Sequence, residues 1–226
     1  MNHLHFVDKY GSFTMDKPEN VSYLYFPLAS ETGLKSSLTP NLGGDAKIDQ
    51  ETFLLEPVSA ENLHSNRGVR NFWLVDEDGQ AFSVSGASAR QEADRFTPAQ
   101  DDSRLTAGLM WQTVERTAQD LGLDTEVTAF CPRQDNVEIL CITVRNQQEQ
   151  PRWLTPIAAV PLYGRSADNI RDHRNVTSML HRIWTTENGV MVRPTMSFDE
   201  RGHRPNHKVY YVCLLYTSPS PRDRTR

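Results

Sequence analysis

The chain has 226 residues, 38% of them hydrophobic and 23% charged, with a formal charge of −5 at pH 7. That composition fits an ordinary soluble globular protein with one large β domain or two small ones, and the acidic balance makes nucleic acid a poor partner. The sequence contains no long apolar span and no basic start followed by a hydrophobic core, so neither a membrane helix nor a secretory signal is read, and a cytoplasmic location is expected.

The first twenty residues, with His3, His5 and a Gly11-Ser12-Phe13 step, read as a polar lead-in. Beyond them few segments have a helical period, while short alternating or continuous apolar runs rich in Val, Thr, Phe, Tyr and Trp predict strands. These are Tyr23 to Leu28, Lys47 to Leu55, Asn71 to Val75, Ala81 to Val84, Leu105 to Thr117, Thr125 to Phe130, Val137 to Val144, Trp153 to Leu162, Met179 to Thr185, Val190 to Met196 and Lys208 to Val212. Hairpin turns are expected at Glu77-Asp78-Gly79 and Glu187-Asn188-Gly189, where Asp-Gly and Asn-Gly supply the positive φ that tight turns require. Asp120-Leu121-Gly122-Leu123-Asp124 reads as a turn before a strand, and Gly86 to Asp102 as a surface excursion with room for one helical turn. The fold class is therefore all-β, a large antiparallel β-sandwich.

Several residues invite chemistry and are better explained by structure. Asp76, Glu77 and Asp78 lack the later glutamate of a calcium hand. Trp73, Trp111, Trp153 and Trp184 could stack on sugar rings, but three sit in apolar runs and are expected in the core, with Trp111 the least settled. His64, Asn66, Arg67 and Arg70 read as a buried hydrogen-bonded corner. Cys131 and Cys141 are expected to be buried thiols. No CxxC, HExxH, P-loop or GxGxxG pattern occurs, so no metal and no organic cofactor are expected.

The stretch from Gly164 to Asn175 stands apart. It places Arg165, Arg171 and Arg174 beside Asp168, Asn169, Asp172 and His173 in one connection between two apolar runs. The planar fork of Arg matches phosphate or carboxylate, while Asn and Asp can each hold two neighbouring sugar hydroxyls. The same mixture would serve as a self-satisfied charge network fixing a long loop, and the residues alone leave both readings open.

Ser22-Tyr23-Leu24-Tyr25-Phe26-Pro27-Leu28, Phe53-Leu54-Leu55-Glu56-Pro57-Val58-Ser59, Asn71-Phe72-Trp73 and this loop together resemble the amino-terminal region of the cellobiose phosphorylase family of inverting glycoside phosphorylases. The resemblance covers roughly Val21 to Val212. It implies a galactose-mutarotase-like super-sandwich over residues 21–212, followed in the intact parent by an (α/α)6 barrel that carries the acid catalyst and most phosphate ligands. A phosphorylase replaces water with phosphate, an anion already nucleophilic, so one acid suffices. On this resemblance the parent is a hexosyltransferase-type enzyme that cleaves β-linked oligosaccharides with inorganic phosphate as co-substrate, gives an α-sugar 1-phosphate with inversion, and acts as a homodimer. Two segments lean toward the 1,2-β-oligoglucan branch, Tyr25 to Leu28 and Phe53 to Pro57.

No catalytic residue is assigned to this chain, which alone is expected to be inactive. Asn169, Arg171, Asp172, His173 and Arg174 are assigned, by the same resemblance, to a loop near the partner subunit's substrate, with Arg165 anchoring it. The alternatives are a non-catalytic carbohydrate-binding or dimerisation module, and a mutarotase-like epimerase, for which His173 and His181 would supply a base. A separate resemblance concerns Cys213 to Asp223, which is similar to translated sequencing adaptor; residues 213–226 are accordingly read as a non-native tail and the domain as truncated.

Overall fold

A computed structural model describes residues 4–21, 24–59, 68–167, 179–199 and 202–215. Its strands, in chain order, are β1 Leu4–Phe6, β2 Phe13–Asp16, β3 Phe26–Ala29, β4 Lys35–Leu38, β5 Ala46–Asp49, β6 Thr52–Phe53, β7 Asn71–Val75, β8 Ala81–Ser83, β9 Asp102–Gly108, β10 Trp111–Ala118, β11 Leu123–Phe130, β12 Ile139–Asn146, β13 Thr155–Ala159, β14 His181–Thr186, β15 Gly189–Pro194, β16 Met196–Asp199, β17 Gly202–Pro205 and β18 Tyr210–Cys213. All pair antiparallel. The expected all-β sandwich is what the chain forms.

The largest sheet runs β1-β2-β9-β10-β11-β12, and period-two burial divides its faces. On β10, Gln112, Val114, Arg116 and Ala118 point inward while Trp111, Thr113, Glu115 and Thr117 point outward. Leu123, Val127 and Ala129 of β11 meet Phe72, Leu74 and Phe82 from the β13-β7-β8 sheet and Leu28 and Leu38 from the β3-β4-β5-β6 sheet in one core. Phe26, Leu105, Ala107 and Val114 form a second apolar cluster beside it. Each of the fully buried leucines contributes about 2 kcal/mol. The single α-helix of the described residues, α1 Ala89–Asp94, lies in the expected surface excursion and is closed by a capping box between Ser88 and Gln91.

Two of the predicted strands turn out to be hairpins. Leu105 to Thr117 folds back at Leu109-Met110, with Gly108 opposite Trp111 and Met110 at φ 63°. An exposed Leu-Met turn lacks the Asn, Asp or Gly that marks a hairpin, so the run reads as one strand. Lys47 to Leu55 folds back at Gln50-Glu51, where Asp49 Oδ1 accepts from Glu51 N at 2.9 Å. The lead-in supplies β1 and β2, and the polar segment Lys35–Leu38 supplies β4; both lacked apolar alternation strong enough to show.

The tryptophans do not fill the core. Trp153 is 77% exposed and Trp184 39%, while Trp73 and Trp111 are half-buried on outward positions of β7 and β10. Leu, Val and Phe fill the interior, Trp73 and Trp111 take the outward positions of interior strands, and Trp184 lies on the edge strand β14. All three cysteines are free; Cys131 is half-buried, with burial and then Glu138 pushing its thiol up to about 11, whereas Cys141 and Cys213 are exposed.

The turn at Gly79 adopts φ 79° as expected, but Gly189 lies outside the left-handed region. What requires glycine there is close approach: a Cβ would meet the Val212 carbonyl oxygen on β18 at 2.1 Å. Leu214 N also donates to Asn188 O at 2.8 Å, so Cys213 and Leu214 lie in or beside the sheet. Gly189→Ala is expected to cost about 1–3 kcal/mol through this backbone clash, read as a lowered urea midpoint with an unchanged slope.

Candidate functional site

The stem of the loop is held by its backbone. Tyr163 N donates to Leu54 O at 2.8 Å, Phe53 N to Arg165 O at 2.9 Å and Ala167 N to Gln50 O at 2.8 Å, so residues 163–167 lie antiparallel along β6. Gly164 takes φ 62°, a left-handed turn that suits glycine. Arg165 is 8% exposed; its guanidinium lies 4.2 Å from the Tyr163 ring centroid and its Nε donates to Tyr163 O at 3.2 Å. Tyr163 Oη closes the turn by donating to Ser166 O at 3.0 Å. Arg165 is thus folded back onto the stem rather than projected from it. Asn169, Arg171, Asp172, His173 and Arg174 lie outside the described residues.

Against this stem stands one face of the β14-β15-β18 sheet. The register places Ile183 opposite Val192 and Val192 opposite Tyr210, with His181 on the same face one pair further along. The rings of Tyr210 and His181 both reach Gly164, within 3.5 and 3.6 Å of where its Cβ would lie. His181 Nε2 and Tyr210 Oη are buried and make no hydrogen bond. Burial, then the positive charge of Arg165, lowers the His181 pKa, which disfavours the imidazolium. Burial and Asp49 push the Tyr210 phenol upward. The charged neighbour that shifts His181 is a cation, whereas the epimerase alternative needs a carboxylate.

A second polar cluster forms where Arg70 was expected in a buried corner. Its Nη1 donates to Leu42 O at 3.2 Å, and its Nη2 to Ser36 Oγ at 2.8 Å and Asp45 O at 3.0 Å. The guanidinium also meets Glu138 through both carboxylate oxygens, at 2.5 and 3.1 Å. Asp45 accepts from Ser37 Oγ at 3.0 Å and from Val58 N at 3.5 Å, which ties Glu56-Pro57-Val58-Ser59 to the same corner. Every polar partner here is internal, so the corner is structural. His64, Asn66 and Arg67 lie outside the described residues.

Among the described residues, no group of three or more His, Cys, Asp or Glu side chains could hold a metal ion, and no helix is long and apolar enough to cross a membrane. No local pattern marks Tyr210, which lies in an ordinary strand run and matters only because the sheets bring it to the stem.

The model of the glycosyl hydrolase 94 supersandwich domain matches residues 46–218, which spans the stem, the loop and the sheet against it. The chain belongs to the glycosyl hydrolase 94 family. The resemblance to an amino-terminal phosphorylase domain therefore holds, and the antiparallel architecture agrees with a glycosyl hydrolase 94 supersandwich. No curated protein matches the chain.

Proposed function

We propose that the chain is the amino-terminal sandwich of an inverting glycoside phosphorylase, one that cleaves β-linked glucosides with inorganic phosphate and releases an α-sugar 1-phosphate. The match of residues 46–218 to a glycosyl hydrolase 94 supersandwich carries this reading. In it, the acid catalyst and most phosphate ligands belong to an (α/α)6 barrel following the sandwich, and the enzyme is a cytoplasmic homodimer. The sandwich contributes Asn169, Arg171, Asp172, His173 and Arg174 near the partner's substrate. The backbone clamp on residues 163–167 and the inward-turned Arg165 support a rigid foot for such a loop.

The test is the intact enzyme carrying Arg171→Ala. Phosphate-dependent release of sugar 1-phosphate from β-glucosides should fall by about tenfold to a hundredfold, as expected when a charge-assisted contact of about 1.5–3 kcal/mol is lost, with the thermal midpoint unchanged because a surface loop substitution costs little stability. Unchanged turnover would remove the loop from the site. An assembly module is the second reading, favoured by the exposed Ile183, Trp184 and Tyr211 on the β14-β15-β18 sheet. It predicts that an intact reading frame ends soon after this domain, without paired helices.

A further inference from the structure

A cavity of about 410 Å³ opens between the β5–β6 turn and the β16–β17 hairpin, with Thr52, Ser197, Arg204, Asn206, His207 and Lys208 on its walls. Its charge runs against that of the molecule. The chain as a whole is acidic, yet the cavity sets two cations, Arg204 and Lys208, against a single carboxylate, Glu51. Glu51 is engaged at the rim, where Arg204 Nη2 lies 2.7 Å from its Oε1. The local balance therefore favours an anion.

The neutral groups are hydrogen-bond donors held in place. Asn206 is 8% exposed; its Nδ2 donates to Ser197 Oγ at 2.7 Å, which leaves the Ser197 hydroxyl proton to donate elsewhere. Its Oδ1 accepts from Lys208 N at 2.9 Å and its own N donates to Thr195 O at 3.1 Å, fixing the turn that presents His207 and Lys208. Thr52 is 6% exposed on β6. Tyr210, whose hydroxyl is buried, packs behind this wall near Thr52.

We propose that this cavity is a binding site for a phosphate-bearing ligand, inorganic phosphate or a sugar phosphate, with Lys208 and Arg204 supplying charge and Thr52 and Ser197 supplying hydroxyl donors. The site is built from residues 51–52, 197 and 204–208 and does not depend on the chain taking part in phosphorolysis.

Isothermal titration of the 226-residue chain with inorganic phosphate, and separately with glucose 1-phosphate, tests it. Saturable binding with one site per chain is expected for at least one of the two. Lys208→Gln should weaken it about tenfold, the equivalent of about 1.4 kcal/mol, and Ser197→Ala should weaken it by a smaller factor. Glu115→Gln, on the outer face of the large sheet, should bind as the unmodified chain does. Equal affinity for both ligands would assign recognition to the phosphate group, and a preference for glucose 1-phosphate would add the sugar hydroxyls. Absence of binding by both, or affinity unchanged in Lys208→Gln, overturns the proposal. Catalytic turnover enters none of these measurements, so their failure would leave the phosphorylase reading standing, and loss of that reading would leave this site standing.

Discussion

Arg70→Met is expected to lower the unfolding free energy by about 3–5 kcal/mol, enough to remove a large share of a typical domain's stability. The guanidinium is 3% exposed on its side chain and the facing Glu138 7%, so the pair is shielded from solvent screening. Removing the cation strands a carboxylate and takes one donor each from the carbonyls of Leu42 and Asp45, which keep only Arg70 N and the Ser36 and Ser37 donors respectively. Arg70→Met combined with Glu138→Leu should recover much of the loss, because the dominant penalty is the unpaired buried charge rather than the absence of the bond itself. Urea unfolding of the wild type, both single variants and the double variant forms a cycle that separates these contributions. Additive losses would show that Arg70 and Glu138 act independently, and the argument for a coupled corner would fail.

The same corner shows what was legible in the sequence. That Arg70 belonged to a buried hydrogen-bonded corner could be read from its place after Glu56-Pro57-Val58-Ser59, but its chief partner could not: Glu138 is 68 residues away and enters from the other side of the core. Local alternation located β7, β8, β11 and β12 within two residues at each end, most clearly in β7 and β11, where buried and half-buried residues alternate. It failed where the signal is borne by geometry instead of residue type. Leu109-Met110 makes a turn with residues that carry no turn preference, and Gly189 is required by the nearness of β18, a contact no short-range pattern reports. The indoles were drawn inward by their hydrophobicity, yet Trp153 and Trp184 lie at sheet margins. For the stem of the loop, residue types were legible and placement was not. Arg165 looked like its neighbours in composition, and only the stem geometry shows that it stacks on Tyr163 while the stem runs along β6.

Acid should weaken the domain through Glu19, a residue in the segment that read as a lead-in. Glu19 sits in the 3-10 turn Pro18–Asn20 and is 8% exposed. Burial raises its pKa, but the Arg116 charge and hydrogen bonds from Ser103 and Gln100 outweigh that and leave it below its ordinary 4.5. Ser103 Oγ donates to the carboxylate at 2.8 Å, Gln100 Nε2 at 3.1 Å and Arg116 Nη1 at 3.3 Å. Arg116 depends on this contact, because its Nε and Nη2 are buried without hydrogen bonds and its other carboxylate, Asp101, is 3.8 Å away. Gly86 packs so closely that a Cβ there would lie 2.3 Å from Nη2, leaving the guanidinium no room to swing toward solvent. A carboxylate whose pKa is depressed by folding stabilises the native state above its unfolded value, and that contribution disappears as pH falls through the folded value. Glu19→Gln should therefore cost about 3 kcal/mol at pH 7, while the gap between variant and wild type narrows once the pH drops below 4.5, the ordinary value at which the unfolded carboxyl takes up its proton, and goes on narrowing until the folded carboxyl is protonated as well. Thermal midpoints of both proteins between pH 7 and pH 3 measure that convergence; curves that stay parallel throughout would mean that Glu19 does not carry the acid sensitivity and that the tie between the first twenty residues and the large sheet rests on other contacts.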